Sequence, residues 1–187
     1  MFDHFGFLSP IYDHLIRPKD PSNILGLLDL PMEGRLLDAG GGTGRIGSAL
    51  KPFISQVVIA DISLGMLRQA QNKDGLSSVC APAEKLPFSD NTFDRIIVVD
   101  ALHHVENALS TLKELWRVVK PGGKILIEEP DIRTIPVKLI AVFEKAALMR
   151  SHFISPLKIS AMFDFSDAKP TVKTQDYISW ILVEKSS

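Results

Sequence analysis

The sequence predicts an α/β fold: a doubly wound, mostly parallel sheet with helices on both faces and an antiparallel hairpin at its C-terminal end. Three observations carry this. Short apolar runs rich in β-branched residues alternate with helical patterns along most of the chain. A glycine-dense segment, Leu36 to Gly47, joins the first of these runs to the helix that follows it. Near the C-terminal end, two strand-like runs are separated by only a short turn, which favours a hairpin over a crossover.

Taken in order, residues 34–39, 56–61, 77–81, 93–99 and 123–128 are runs bounded by Gly, Pro, Asp or Ser, as buried parallel strands should be. Helical patterns lie between them, including Ser63 to Lys73 and Glu106 to Lys120. In the second, Leu109, Leu112, Leu115, Trp116 and Val119 recur at helical spacing, and Pro121-Gly122-Gly123 ends the pattern. Residues 169–175 and 177–184 form the hairpin, which brings the sheet to seven strands. The chain of 187 residues suits a single domain, with residues 1–30 and about 131–157 left outside the sheet. Both extra segments are expected at the carboxyl edge of the strands, where open α/β sheets bind ligands.

The loop Asp38-Ala39-Gly40-Gly41-Gly42-Thr43-Gly44-Arg45-Ile46-Gly47 carries the chemistry. Alternate glycines let backbone turn with positive φ and keep Cβ atoms off a bound molecule, while the next helix offers N–H groups at its start. Two ligand classes fit. Gly42-Thr43-Gly44-Arg45-Ile46-Gly47 satisfies a dinucleotide fingerprint, and Asp61 follows where that fingerprint needs a ribose carboxylate. Asp38 instead gives Asp-x-Gly-x-Gly-x-Gly.

That second pattern resembles the cofactor loop of class I S-adenosylmethionine (SAM) dependent methyltransferases, and further matches follow in that family's order. Val57-Val58-Ile59-Ala60-Asp61-Ile62-Ser63 is similar to its second strand with an acidic end. Ala83-Glu84-Lys85-Leu86-Pro87-Phe88, followed by Asn91-Thr92-Phe93-Asp94, resembles its third motif. Ala101-Leu102-His103-His104-Val105 and Leu115 to Lys124 complete the set. Tyr12-Asp13 resembles the start of the ubiquinone/menaquinone-biosynthesis type. The resemblance implies a Rossmann-like fold, SAM as methyl donor, S-adenosylhomocysteine as product and a terminal antiparallel strand.

It also implies roles. Asp61 is expected to hold the ribose diol; Gly40, Gly42 and Gly44 to present backbone toward the methionyl group; Asp38 to orient the loop and the ammonium end. Ala83 and Glu84 are expected beside adenine, with Ile62 and Met66 packed on the ring, although Pro82 stands where the family often has Asp or Asn. Asp100 is expected near the transferring methyl, Tyr12 over the methionyl end or the sulfonium, and His103 or His104 as a base for the acceptor. No metal is expected.

Composition bounds the rest. Net charge is −1, so no global field favours nucleic acid. Cys80, in a strand expected to be core, reads as an inert thiol and excludes an internal disulfide, which fits a reducing cytoplasm. No basic run opens onto a signal-like apolar stretch and no span is long enough for a membrane, so a cytoplasmic monomer or homodimer is expected. Ile135 to Met149 reads as a helix opened by Pro136 that could roof an apolar acceptor, pack against the sheet or a second subunit, or touch a membrane surface. The expected function is methyl transfer to a small, apolar or aromatic acceptor. A non-catalytic SAM-binding protein is the alternative, and an NAD(P)-dependent oxidoreductase a remote one.

Overall fold

In the computed structural model, residues 20–135, 137–138 and 151–186 are described. Within them the order is α1 (Ser22–Leu27), β1 (Met32–Ala39), α2 (Arg45–Leu50), β2 (Ile54–Asp61), α3 (Leu64–Gln71), β3 (Leu76–Cys80), β4 (Phe93–Val99), α4 (Ala108–Val118), β5 (Val119–Pro130), α5 (Pro156–Met162), β6 (Ala168–Gln175) and β7 (Ile178–Lys185). The seven strands form one sheet in the order β3-β2-β1-β4-β5-β7-β6. Strands β1 to β5 pair in parallel, and β7 runs antiparallel between β5 and β6. The expected doubly wound sheet with a terminal hairpin is therefore present.

Alternation along the strands builds two cores, because successive side chains point to opposite faces. Leu37, Val58, Ile96, Val98, Ile125, Ile127 and Val183 face Leu112, Leu115 and Trp116 of α4 and Ile159 of α5. Leu36, Val57, Ile59, Ile97 and Leu126 face Ile24 of α1, Ile46 and Leu50 of α2, and Leu67 and Ala70 of α3. Helix α3 opens on Ser63, whose hydroxyl accepts the Met66 N–H, and α4 on Asn107, whose side chain accepts the Ser110 N–H.

The helix predicted to reach Lys120 stops at Val118, and Val119 already pairs with Phe93 of β4. Lys120 precedes a proline, which biases it away from helical backbone. Leu109, expected on the apolar stripe, is exposed; Thr111 and Val118 are buried on that helix.

Residues 20–30 correct another expectation. They lie at the amino edge of the sheet, not the carboxyl edge. Ile24 and Leu28 are fully buried, and the Arg95 side chain at the start of β4 donates from Nε to the Leu28 carbonyl over 2.7 Å. A buried guanidinium needs acceptors, and this carbonyl supplies one, fixing α1 beneath the strands.

The order of strand addition reverses between β1 and β4: from β1 the sheet grows outward through β2 and β3, then restarts at β4 on the other side. The carboxyl ends of β1 and β4 therefore flank a switch point, the place where open α/β sheets form a crevice. Asp38 and the glycine loop end one strand; Asp100 and the two histidines follow the other.

Candidate active site

Asp38 is the penultimate residue of β1, beneath the glycine loop and 1% exposed. Its Oδ2 accepts the Gly47 N–H at 3.1 Å, pinning α2 to the strand end. A Cβ at Gly41 would come within 2.6 Å of the Asp38 Cγ, so the loop lies directly on this carboxyl group. Burial pushes the Asp38 pKa up to about 7, with the nearby Asp61 charge acting in the same direction and the Gly47 N–H opposing it.

The three glycines of this loop at positive φ do different things. A Cβ on Gly40 would meet the Ala101 Cβ at 2.6 Å, so this glycine lets the first loop pack against the turn after β4. A Cβ on Gly44 would meet Leu76 at 2.8 Å and Ala70 at 3.3 Å, so this one admits the packing of β3 and α3. Gly42, with φ +53°, is the open position: the nearest atoms to its Cβ would be Asp61 Oδ2 at 3.9 Å and Met66 Sδ at 4.0 Å. Space beside bare backbone, with a carboxylate and a thioether at its edge, is a cradle suited to a ribose with an apolar ring beside it.

Asp61 ends β2 and is fixed by backbone. Its Oδ2 accepts the Gly42 N–H at 2.8 Å and its Oδ1 accepts the Ser63 N–H at 2.8 Å. These two bonds fix the orientation of the group. Ile62, next in the chain, is 66% exposed, while Met66 is buried.

The segment after β3 closes this side. Ala81 donates to the Asp61 carbonyl at 3.0 Å, and Lys85 donates to the Pro82 carbonyl at 3.0 Å, forming a turn with Ala83 half-buried inside it. Glu84 points a carboxylate oxygen at the start of α4, accepting the N–H groups of Glu106 and Asn107 at 2.8 and 3.1 Å. That oxygen caps the approach to α4, a use of Glu84 that its motif did not announce. Cys80 also departs from expectation: it is exposed, because β3 is an edge strand.

On the β4 side, Asp100 has φ +52°, an uncommon conformation for a residue with a Cβ, and donates its N–H to the Glu128 carbonyl at 2.9 Å. The turn Leu102–His104 follows. His103 is buried against Glu129, with Nδ1 and Oε2 separated by 2.5 Å. The other Glu129 oxygen accepts the N–H groups of Ala101 and Leu102 at 3.0 and 2.7 Å. Phe153 stacks on the His103 ring at 4.4 Å and 13°, and His152 donates its backbone N–H to the His103 carbonyl. Burial, reinforced by the His103 neighbour, pushes the His104 pKa down to about 3.

Glu129 escaped the sequence reading. The signal was there: an acidic pair, Glu128-Glu129, ends the apolar run Ile125-Leu126-Ile127, and both residues are buried. Tyr12 and most of the segment Ile135 to Met149 lie outside the described residues, as do the acceptor-roofing, subunit-packing and membrane roles expected of that segment. Among the described residues no helix is long and apolar enough to cross a membrane.

A seven-stranded sheet with this order, a glycine loop at the switch point and an acidic residue ending β2 define the class I methyltransferase architecture. The comparisons agree. Residues 37–127 match the family model described as a methyltransferase domain. A demethylmenaquinone methyltransferase of Corynebacterium urealyticum is 39% identical over 124 residues, covering 66% of this chain and 53% of that protein. A ubiquinone/menaquinone biosynthesis C-methyltransferase of Coxiella burnetii is 38% identical over 117 residues, covering 57% and 47%. The chain thus spans about half the length of these curated relatives. Among solved structures, a SAM-dependent methyltransferase of Thermotoga maritima superposes with a TM-score of 0.81 at 21% identity, covering 100% of both chains. The methyltransferase bound to the Trm112 activator of Haloferax volcanii gives 0.83 at 17%, again covering 100% of both. These two likenesses are of fold. Over residues 37–127 the chain thus resembles a class I SAM-dependent methyltransferase domain of the ubiquinone/menaquinone-biosynthesis type, and SAM is the cofactor that this resemblance implies.

Proposed function

We propose that this chain transfers the SAM methyl group to a small aromatic acceptor of the quinol class, acting as one methyltransferase domain in the cytoplasm. The observation that carries the reading is the Gly42–Asp61–Met66 cradle. The residues fit the cofactor: Asp61 would hold the ribose, Gly42 would present bare backbone, Ile62, Met66 and the Ala83 turn would bracket adenine, and Asp100 would stand on the methyl side. Bound SAM supplies an activated sulfonium methyl, whose bonding pair stays on sulfur as the methyl leaves. The chain's own task is then alignment and exclusion of water, which can contribute much of the rate. The quinol class comes from the relatives' names and from the apolar expectation for the acceptor segments.

The test is transfer of labelled methyl from SAM to a panel of naphthoquinols, phenols, amines and thiols. Label on a quinol is the expected result. Binding of S-adenosylhomocysteine with no transfer to any acceptor would favour the non-catalytic alternative instead.

A further inference from the structure

We propose that Glu114 and Arg117 on α4 are positioning residues for recognition of the cofactor's base: they fix the path of the segment after β3, so that its backbone, and not a side chain, distinguishes adenine from other purines. The inference rests on the methyl-transfer reading above and deepens its adenine side.

The segment leaves β3 beside the cradle. The Ala81 N–H donates to the carbonyl of Asp61, the residue whose carboxylate edges the space at Gly42. Pro82 has no N–H and Ala83 carries only a methyl group, so neither offers the base a polar side chain. Glu84 has one, but its Oε1 accepts from Glu106 and Asn107, which turns the carboxylate toward α4. What remains at this turn is backbone. A backbone N–H has no side-chain torsion to adjust, so its direction is set entirely by the path of the chain.

That path is fixed from α4. Both backbone groups of the buried Leu86 go to the helix: its N–H donates to Glu114 Oε1 at 2.7 Å, and its carbonyl accepts from Arg117 Nη2 at 3.3 Å. Arg117 also forks onto Glu114, from Nε to Oε2 at 2.9 Å and from Nη2 to Oε1 at 2.7 Å, and reaches Asp90 Oδ1 with Nη1 at 2.6 Å. These hydrogen bonds hold the Glu114 carboxyl below the usual carboxylate range, so the acceptor for Leu86 stays ionised although its side chain is only 13% exposed. Further along, the Asn91 and Thr92 N–H groups donate to the carbonyls of Arg117 and Val118 at 3.0 and 2.8 Å. Ala83 is thus strung between Ala81, tied to Asp61, and Leu86, clamped by the pair.

The chemistry follows from the base edge. Adenine offers N1 as an acceptor; hypoxanthine carries a hydrogen there and has an oxo group in place of the amine. A backbone N–H held toward N1 pairs with the first and meets a donor in the second.

Calorimetry with S-adenosylhomocysteine and S-inosylhomocysteine, in which hypoxanthine replaces adenine, reads this directly. Wild type should prefer the adenosyl ligand by roughly ten- to a hundredfold, the effect of leaving a desolvated donor without its acceptor, and Glu114→Ala should bring the two within about threefold. Glu114→Gln keeps an oxygen for the Leu86 N–H and should retain most of the preference. Arg95→Met, altered at the opposite edge of the sheet, should retain all of it, which separates loss of the clamp from loss of stability. If Glu114→Ala does not fold, Arg117→Lys carries the test: its ammonium keeps the charge without the fork, and the preference should fall by at least about threefold. An unchanged preference in the folded variant, or no preference in wild type, overturns the assignment. Wild type that binds neither ligand overturns the SAM reading, and the role of the pair with it.

Discussion

The Gly42 amide donates to the Asp61 carboxylate over 2.8 Å, tying the glycine loop after β1 to the acidic end of β2. One hydrogen bond thereby sets both the shape of the loop and the direction of the carboxylate that faces the cradle.

Asp61→Ala should therefore weaken S-adenosylhomocysteine binding by roughly ten- to a hundredfold, the equivalent of about 1.5–3 kcal/mol for a lost charge-assisted hydrogen bond. Isothermal calorimetry measures it. Wild-type affinity in a folded variant would remove Asp61 from the ribose site.

Substitutions at two glycines of the same loop should separate binding from folding. Gly42→Val places its side chain in the cradle, so the ligand-induced thermal shift should vanish while the unliganded melting temperature falls modestly, by the cost of a positive φ for a branched residue, roughly 1–2 kcal/mol. Gly40→Val instead drives a Cβ into the Ala101 Cβ and should destabilise the fold more strongly. If Gly42→Val keeps the wild-type shift, the cofactor lies elsewhere.

Asp38 predicts a pH dependence of stability. Its pKa is raised by burial from 3.8 to about 7, so between these values the folded chain holds a proton that the unfolded chain has released. Stability from this group is therefore present below pH 4 and lost as pH rises toward 7, by at most a few kcal/mol. Asp38→Asn should lack this decline in urea melts from pH 5 to 8. His104 has the opposite sign: its pKa is lowered from 6.5 to about 3, so it costs stability as pH falls below 6.5. Parallel curves for wild type and Asp38→Asn would show that Asp38 does not titrate in this window.

Arg95→Met should cost about 1–3 kcal/mol, because the buried Leu28 carbonyl loses its donor, and the melting temperature should drop roughly 2–4 °C per kcal/mol. Cofactor affinity should not change, since this contact lies at the opposite edge of the sheet. A loss of S-adenosylhomocysteine binding in folded protein would contradict that separation.

The sequence by itself determined the sheet and the place in it of the candidate site. Runs such as Leu36-Leu37 and Ile96-Ile97-Val98 bury both faces, and hydrophobic periodicity is a local property that needs no partner to be read. Glycine spacing before an acidic strand end is local in the same sense, so Gly42 and Asp61 were legible as a pair. Only the tertiary structure decided what depends on residues far apart in the chain. Edge or centre is not written in a strand, so Cys80 was expected inside and is exposed on β3. Leu28 meets Arg95 across 67 positions, which moved α1 to the amino edge. Glu84 turned to the backbone of Glu106 and Asn107, and Glu129 came to His103 from 26 residues away. Buried polar groups must find partners wherever the fold supplies them, and the identity of the partner is settled by packing rather than by spacing.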